Sequence, residues 1–269
     1  MKSIKELQDL TDSWALITGG SGHVGQAAAD TLLELGAKVI LLDRDAQSLE
    51  ELTTNKYKDS GNIYSIVCDL ASESAIREAI KSVAAITNDR LNILINNAAF
   101  VGTDKLTGWC VPFEQQAIDT FNDCLNVNLS APFLLSQLAF ELMKNQEQGP
   151  KSIINISSIY AVVGPRMALY EGTDMGNPAA YAASKAGLMQ LTRWMSANVA
   201  PVVRVNNIVL GGIERGQPES FLTKYNANVP LARMATEEDV KGAIAYLSSD
   251  LSSYMTGQSL FLDGGWTVV

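Results

Sequence analysis

Residues 14–25 read Trp14-Ala15-Leu16-Ile17-Thr18-Gly19-Gly20-Ser21-Gly22-His23-Val24-Gly25, and the chain continues QAAADTLLELG to residue 36. An apolar run, a glycine-rich turn and an apolar spacing of helical period read together as a strand feeding a helix. Glycines let the backbone turn sharply and approach a pyrophosphate, whose charge is met by free N–H groups at the helix start. Any strand-to-helix turn can use glycine, so the turn gains its weight from what surrounds it. The next apolar run ends Leu41-Leu42-Asp43-Arg44-Asp45, which places Asp43 18 residues after Gly25. A carboxylate there accepts hydrogen bonds from a ribose diol and repels a 2′-phosphate, favouring NAD over NADP. Arg44 works in the opposite sense, because a guanidinium can neutralise that repulsion and hold a 2′-phosphate. His23 reads as a spacer in the turn, without chemistry of its own.

Outward from this stretch, short β-branched runs alternate with helical patterns. The apolar runs are residues 14–17, 38–42, 62–67, 91–95, 152–156, 204–209 and 259–262. Most are apolar at nearly every position, as expected of parallel strands buried on both faces. Helical spacing covers residues 24–35, stopped by Gly36, then 72–86, 113–143, 179–199 and 236–247. Ser72 is a usable N-cap, and Thr236 through Asp239 form a capping-box pattern. Strand and helix alternating throughout predict a Rossmann-like, doubly wound, parallel seven-stranded α/β sheet with helices on both faces. One domain is expected over residues 1–269, without repeats or linkers. Loop-rich residues 162–178 and 210–234 follow predicted strands, where loops line the ligand crevice of such a sheet.

Composition narrows the function. The chain has 269 residues, 47% of them hydrophobic, and a net charge of -9. An acidic body disfavours nucleic acid, anionic membrane and acidic carrier proteins as partners. Three cysteines and one histidine give no disulfide framework and no multi-histidine metal site. The polar first residues and the lack of a long apolar stretch predict a cytoplasmic protein. A small molecule is the expected partner, and no metal is expected.

Tyr181-Ala-Ala-Ser-Lys185 is the sequence's one Tyr-x-x-x-Lys pair. On a helix the two share a face. A phenol with an ordinary pKa near 10 needs help to act as a base, and an ammonium one turn away would stabilise the phenolate. Ser157 and Ser158, ending the preceding strand, offer hydroxyls to a substrate oxygen.

Thr18-Gly19 through Gly25, Asp43, Asp69, Asn96-Asn97-Ala98-Ala99, Asn128, Ser158, Tyr181, Lys185 and Asp263-Gly264-Gly265 together resemble the short-chain dehydrogenase/reductase family over nearly the whole chain. The resemblance implies that Tyr181 is the general acid/base. Lys185 would lower its pKa and bind the nicotinamide ribose, Ser158 would orient the substrate, and Asn128 would hold a relay water. The implied cofactor set is Gly19, Ser21, Gly22, His23, Val24, Gly25, Asp43, Arg44, Asp69, Leu70, Asn97, Ala98, Tyr181, Lys185, Gly211 and Ile213. Within it, Asp69 would meet the adenine, Ile213 the carboxamide, and Asn96 would also lie along the cofactor. A homotetramer or homodimer is implied as well.

The chain departs from the family pattern in three places. His23 stands where the single-domain branch has glycine, and the resulting spacing resembles the sugar-nucleotide-modifying branch. Leu210-Gly211-Gly212 replaces the usual Pro-Gly. Ser158 and Tyr181 are 23 residues apart, further than is usual, and the extra loop carries Arg166, Tyr170, Glu171, Thr173 and Asp174. Tyr170, Glu171 and Thr173 are the expected substrate contacts.

The leading expectation is an NAD(H)-dependent oxidoreductase interconverting a secondary alcohol and a ketone. Its substrate would be a sugar or polyol, because the loop is polar and the chain resembles dehydrogenases of bacterial surface-sugar and flagellin modification. A 3-oxoacyl reductase using NADPH is the alternative, and a nucleotide-sugar epimerase or dehydratase a further one. A scaffold without catalysis would not need Tyr181 and Lys185 on one helix face.

Overall fold

A strand that is apolar at every position needs a layer on each side. In the computed structural model, which describes residues 1–102, 104–144, 146 and 148–269, that requirement is met across the middle of the sheet. β1 (Trp14–Thr18), β4 (Ile93–Asn96) and β5 (Ser152–Ser158) are buried at every residue. β2 (Lys38–Asp43) is buried except at its two ends and β6 (Arg204–Leu210) except at Arg204. β3 (Ile63–Val67) and β7 (Ser259–Leu262) form the edges and are partly exposed. The order is β3-β2-β1-β4-β5-β6-β7, all pairs parallel. The expected Rossmann-like sheet is therefore present. Strand order reverses between β1 and β4, and a doubly wound sheet opens its crevice there, beyond the carboxyl ends.

One face carries α2 (His23–Glu34) and α9 (Glu237–Ser248), whose Ala28, Leu32, Val240, Ile244 and Leu247 pack on Ile17, Leu41 and Ile154. The other carries α4 (Glu73–Thr87), α6 (Ala131–Lys144) and α7 (Ala179–Val199), with Ile76, Val83, Leu135, Met143 and Met195 against Leu16, Leu42 and Leu94. Each fully buried Leu or Ile contributes about 1.5–3 kcal/mol, which makes these two layers the main stabilising term.

Helix ends follow local chemistry. Gly36, at φ +93°, closes α2: its N–H donates to the Leu33 carbonyl and that of Ala37 to Leu32. The Ser72 hydroxyl caps α4 by accepting from the Ala75 N–H. At α9 the Asp239 carboxylate reaches back to the Thr236 N–H at 2.8 Å.

The long helix expected over residues 113–143 is not continuous. A 3₁₀ turn (Phe113–Gln115) is followed by α5 (Ile118–Leu125), a π-helical turn (Asn126–Ser130) and α6. Pro132 is the physical reason for the widened turn. It has no N–H to give the Asn128 carbonyl four residues earlier, and its ring crowds that carbonyl. Three short helices were not expected: α1 (Ile4–Gln8), α3 (Ala46–Glu51) and α8 (Glu219–Asn226), the last inside the 210–234 loop region. No helix among the described residues is long and apolar enough to cross a membrane.

Candidate active site

The helix that follows the β1 turn leaves its first amides unclaimed. Gly22 caps α2 with no side-chain hydrogen bond, so the first N–H groups of the helix face outward. A Cβ on Gly25 would lie 2.2 Å from the Gly19 carbonyl oxygen, so helix and turn touch only because residue 25 is glycine, while Gly19 sits at φ +62° with Asn97 and Ala98 against the place its Cβ would take. Asn97 fixes the turn from the neighbouring strand, its amide donating to the Thr18 and Gly19 carbonyls at 3.0 Å each. The Thr18 hydroxyl in turn accepts from the N–H groups of Asn97 and Ala98. At the end of β2 the Asp43 carboxylate accepts from the Ser21 N–H at 3.1 Å and from its hydroxyl at 2.6 Å. Arg44 lies over the Phe100 ring at 5.7 Å. This uncapped helix start, glycine cradle and ribose-reaching carboxylate fit a dinucleotide. His23 is more than a spacer: its Nδ1 lies 3.4 Å from Glu237, which also meets Arg215 at 3.3 Å.

A cleft of about 830 Å³ runs from this turn across the carboxyl ends of the strands. It is lined by Gly19, Ser21, Gly22, His23, Val24, Asp43, Arg44, Asp69, Leu70, Asn97, Ala98, Gly211 and Ile213 on the expected cofactor side, and by Ser158, Tyr181 and Lys185. Gly25 is not in the lining, consistent with its packing role. Ile213 pairs with Ala235 through the bonds of its neighbours, which turns the Ile213 N–H and carbonyl the other way. Its carbonyl accepts from the Gln217 amide at 2.8 Å.

Tyr181 and Lys185 project from the first two turns of α7, and Ser158 ends β5. Lys185 is buried, its Nζ donating to the Ile156 carbonyl at 2.8 Å and lying 5.8 Å from the Tyr181 ring centre. Ser157 holds the same helix by donating to the Lys185 carbonyl. Burial pushes the Tyr181 phenol up to about 12, and the hydrogen bond with Ser158 opposes this only in part. Burial likewise holds Lys185 down at about 8. The expectation that Lys185 lowers the Tyr181 pKa is therefore corrected for the protein itself: desolvation dominates both groups, and the ammonium is aimed at a backbone carbonyl.

Behind this set, Asn96, Asn155, Asn207 and Ser259 stand at one register level across β4 to β7. Asn155 accepts from Asn96 and donates to Thr192, which donates to Asn207. Thr192 is on α7, so the ladder pins the helix of Tyr181 and Lys185 to the sheet. Asn96 is accordingly buried in this network and lies outside the cleft, not along a cofactor. Asn128 is also buried. Its side chain accepts from the Phe100 N–H and donates to the Phe100 carbonyl and to Ser184, so its amide is engaged within the protein.

The other end of the cleft is aromatic: Tyr160, Tyr170, Phe221 and Tyr225 line it with Met175, Asn177 and Met234. The Tyr225 hydroxyl accepts from the Gly212 N–H at 2.5 Å, taking up the slack of the missing proline. Of the three expected substrate contacts only Tyr170 faces the cleft. Glu171 is exposed, with Lys224 as its ion partner, and Thr173 bonds the loop's own backbone. A polar loop satisfies its own polar groups first, which is why residue type misled there. Tyr160, Asn177, Phe221, Tyr225 and Met234 were missed, since nothing in their spacing distinguishes them from core residues. A signal existed for Asn177 alone, because Asn177-Pro178 opens the helix of Tyr181.

A family profile described as Enoyl-(Acyl carrier protein) reductase matches residues 21–267. The 3-oxoacyl-[acyl-carrier-protein] reductase of Rickettsia typhi is 34% identical over 268 residues, 97% of this chain and 99% of that one. The chain belongs to the short-chain dehydrogenase/reductase family. Post-translational flagellin modification protein A of Campylobacter coli is 31% identical to this short-chain dehydrogenase/reductase, over 93% of this chain and 96% of that one. A short-chain dehydrogenase of Leptospira borgpetersenii solved with bound NAD+ superposes with a TM-score of 0.84 at 35% identity, covering 99% of this chain and 96% of that one. Solved family members hold NAD+ in some cases and NADP in others. This short-chain dehydrogenase/reductase is thus an NAD(P)-dependent oxidoreductase of CH–OH and keto groups.

Proposed function

We propose that this enzyme interconverts a secondary alcohol and a ketone with NAD(H), and that its substrate is a sugar or polyol. The observation that carries this reading is one cleft with Asp43 at one end, Ser158, Tyr181 and Lys185 at its middle and a tyrosine-rich wall at the other. A bound nicotinamide dinucleotide supplies or takes the hydride. Asp43 and the α2 N-terminus bind its ribose and pyrophosphate. Ser158 orients the substrate oxygen, and Tyr181 gives that oxygen a proton in reduction or takes it in oxidation. Lys185 and a water held at Asn128 carry the proton away from Tyr181 in oxidation and back to it in reduction. Asp43 supports NAD over NADP, as does the NAD+ bound by the Leptospira relative.

The runner-up is a 3-oxoacyl reductase using NADPH, favoured by the Rickettsia relatives and by Arg44 beside Asp43. Titration with NADH and NADPH, followed by rates on a polyol panel and on a 3-oxoacyl thioester, separates the two. Tighter NADH binding with polyol turnover supports the proposal; NADPH preference with thioester turnover replaces it.

We also place the enzyme in the cytoplasm as a homo-oligomer. Exposed Phe133 on α6 and Trp194 on α7, 41% and 56% accessible, support a covered face. Sedimentation at micromolar concentration tests this: a monomer would refute it.

A further inference from the structure

The wall opposite the nicotinamide side contains a mismatch in hydrogen-bonding capacity. Asn177 lines the cleft just before Pro178, the N-cap of the helix turn carrying Tyr181. It is 9% exposed, and its Oδ1 is buried with no hydrogen-bond partner. Its side chain lies beside Tyr170, and the carbonyl oxygen of the amide is the group left over. Tyr160 and Tyr170 share one hydrogen bond at 2.7 Å between their hydroxyls, and both line the cleft. Two phenols joined by one bond use one proton and keep the other. This corner therefore offers one spare acceptor and one spare O–H donor. Among the described residues the carboxylates lining the cleft are Asp43, at the end of β2, and Asp69, past the end of β3, so a cationic group has no partner at this corner.

A hydroxyl both donates once and accepts. It is the small group that satisfies the spare acceptor and the spare donor together; a methylene satisfies neither and leaves Asn177 orphaned at a cost of about 1–3 kcal/mol. We infer that Asn177 and the Tyr160–Tyr170 pair form a subsite for a second hydroxyl of the substrate, next to the carbon that reacts at Tyr181, and so select vicinal diols over simple alcohols and acyl chains. The inference rests on the alcohol–ketone reading above and names the substrate class more narrowly.

Two matched probes test it, cis-1,2-cyclohexanediol and cyclohexanol. Their dissociation constants are measured by ligand-observed NMR on Tyr181→Phe protein saturated with NAD+, so binding is read without turnover. The diol binds at least about tenfold tighter, the effect of one hydrogen bond. Asn177→Leu brings the ratio to about one. Asn177→Asp, which keeps an acceptor in place, retains the preference and controls for misfolding of the leucine variant. Equal affinities in the parent, an unchanged ratio in Asn177→Leu, or no binding of either probe overturns the inference. Rates of the wild-type enzyme on the same two alcohols with NAD+ and NADP+ are a separate readout. Absence of oxidation with the binding preference intact would remove the proposed reaction and leave the subsite standing.

Discussion

The cofactor half and the substrate half of the cleft obey different rules. From Gly19 to Ala98, the side chains that matter are fixed by backbone requirements: a glycine that a Cβ would drive into a carbonyl, a carboxylate held at the end of a strand, an asparagine that staples two turns together. From Tyr160 to Met234, the wall is made by tertiary packing of an inserted loop and a short helix, with Tyr170, Phe221 and Tyr225 in tilted or stacked contact. Backbone requirements recur wherever a dinucleotide sits, whereas packed walls suit one substrate. Substitutions should accordingly act on binding of the dinucleotide in the first half and on substrate choice in the second.

The largest effect is expected where the halves meet. Lys185→Met should cut turnover by about 10²–10⁴-fold and weaken NADH binding. It should also raise stability. The Lys185 pKa is depressed by burial to about 8, so the folded state disfavours the ammonium. That penalty is full below about pH 8, shrinks as pH rises toward the unfolded value, and is on the order of 3 kcal/mol at neutral pH. A melting temperature several degrees above wild type at pH 7, with the gap closing toward pH 10, checks this. Next comes Asp43→Ala, which removes the charge facing a 2′-phosphate and both bonds to Ser21. It should shift the NADH-to-NADPH affinity ratio about 10–100-fold toward NADPH, read by fluorescence titration. An unmoved ratio would make Asp43 structural and blur the contrast between the halves.

A smaller effect follows from protonation. With Tyr181 at about 12 and Lys185 at about 8, the phenol holds its proton through the neutral range. Alcohol oxidation should accelerate several-fold from about pH 7 to 9, while ketone reduction should not rise. Initial rates in both directions read this. The smallest effect sharpens the substrate side. Glu171→Gln should leave kcat/KM within about twofold, because Glu171 is exposed and its one ion partner is 3.8 Å away.

What the sequence disclosed divides along the same line. The seven apolar runs became the seven strands, since burial on both faces leaves a continuous signal. Strands ran on into Thr18, Asp43, Ser158 and Leu210, because ladder pairing continues after the apolar pattern stops. The break before α6 was readable only through Pro132, whose missing N–H outweighs the helical spacing around it. In the site, Gly19, Ser21 through Val24, Asp43, Ser158, Tyr181 and Lys185 line one cleft, the set that the resemblance implied. Thr173 misled because its hydroxyl is spent on the loop's own backbone, and Glu171 because it points to solvent beside Lys224. Asn177 and Tyr160 escaped notice because a buried polar group is defined by its neighbours, which spacing does not reveal.

If the Tyr181 hydroxyl moves the proton at the substrate oxygen, Tyr181→Phe exposes it, with alcohol-oxidation and ketone-reduction rates measured beside dinucleotide affinity. Rates lower by about 10²–10⁴-fold in both directions, with affinity within about threefold of wild type, are the predicted result. Turnover within tenfold of wild type at undiminished dinucleotide affinity would contradict it.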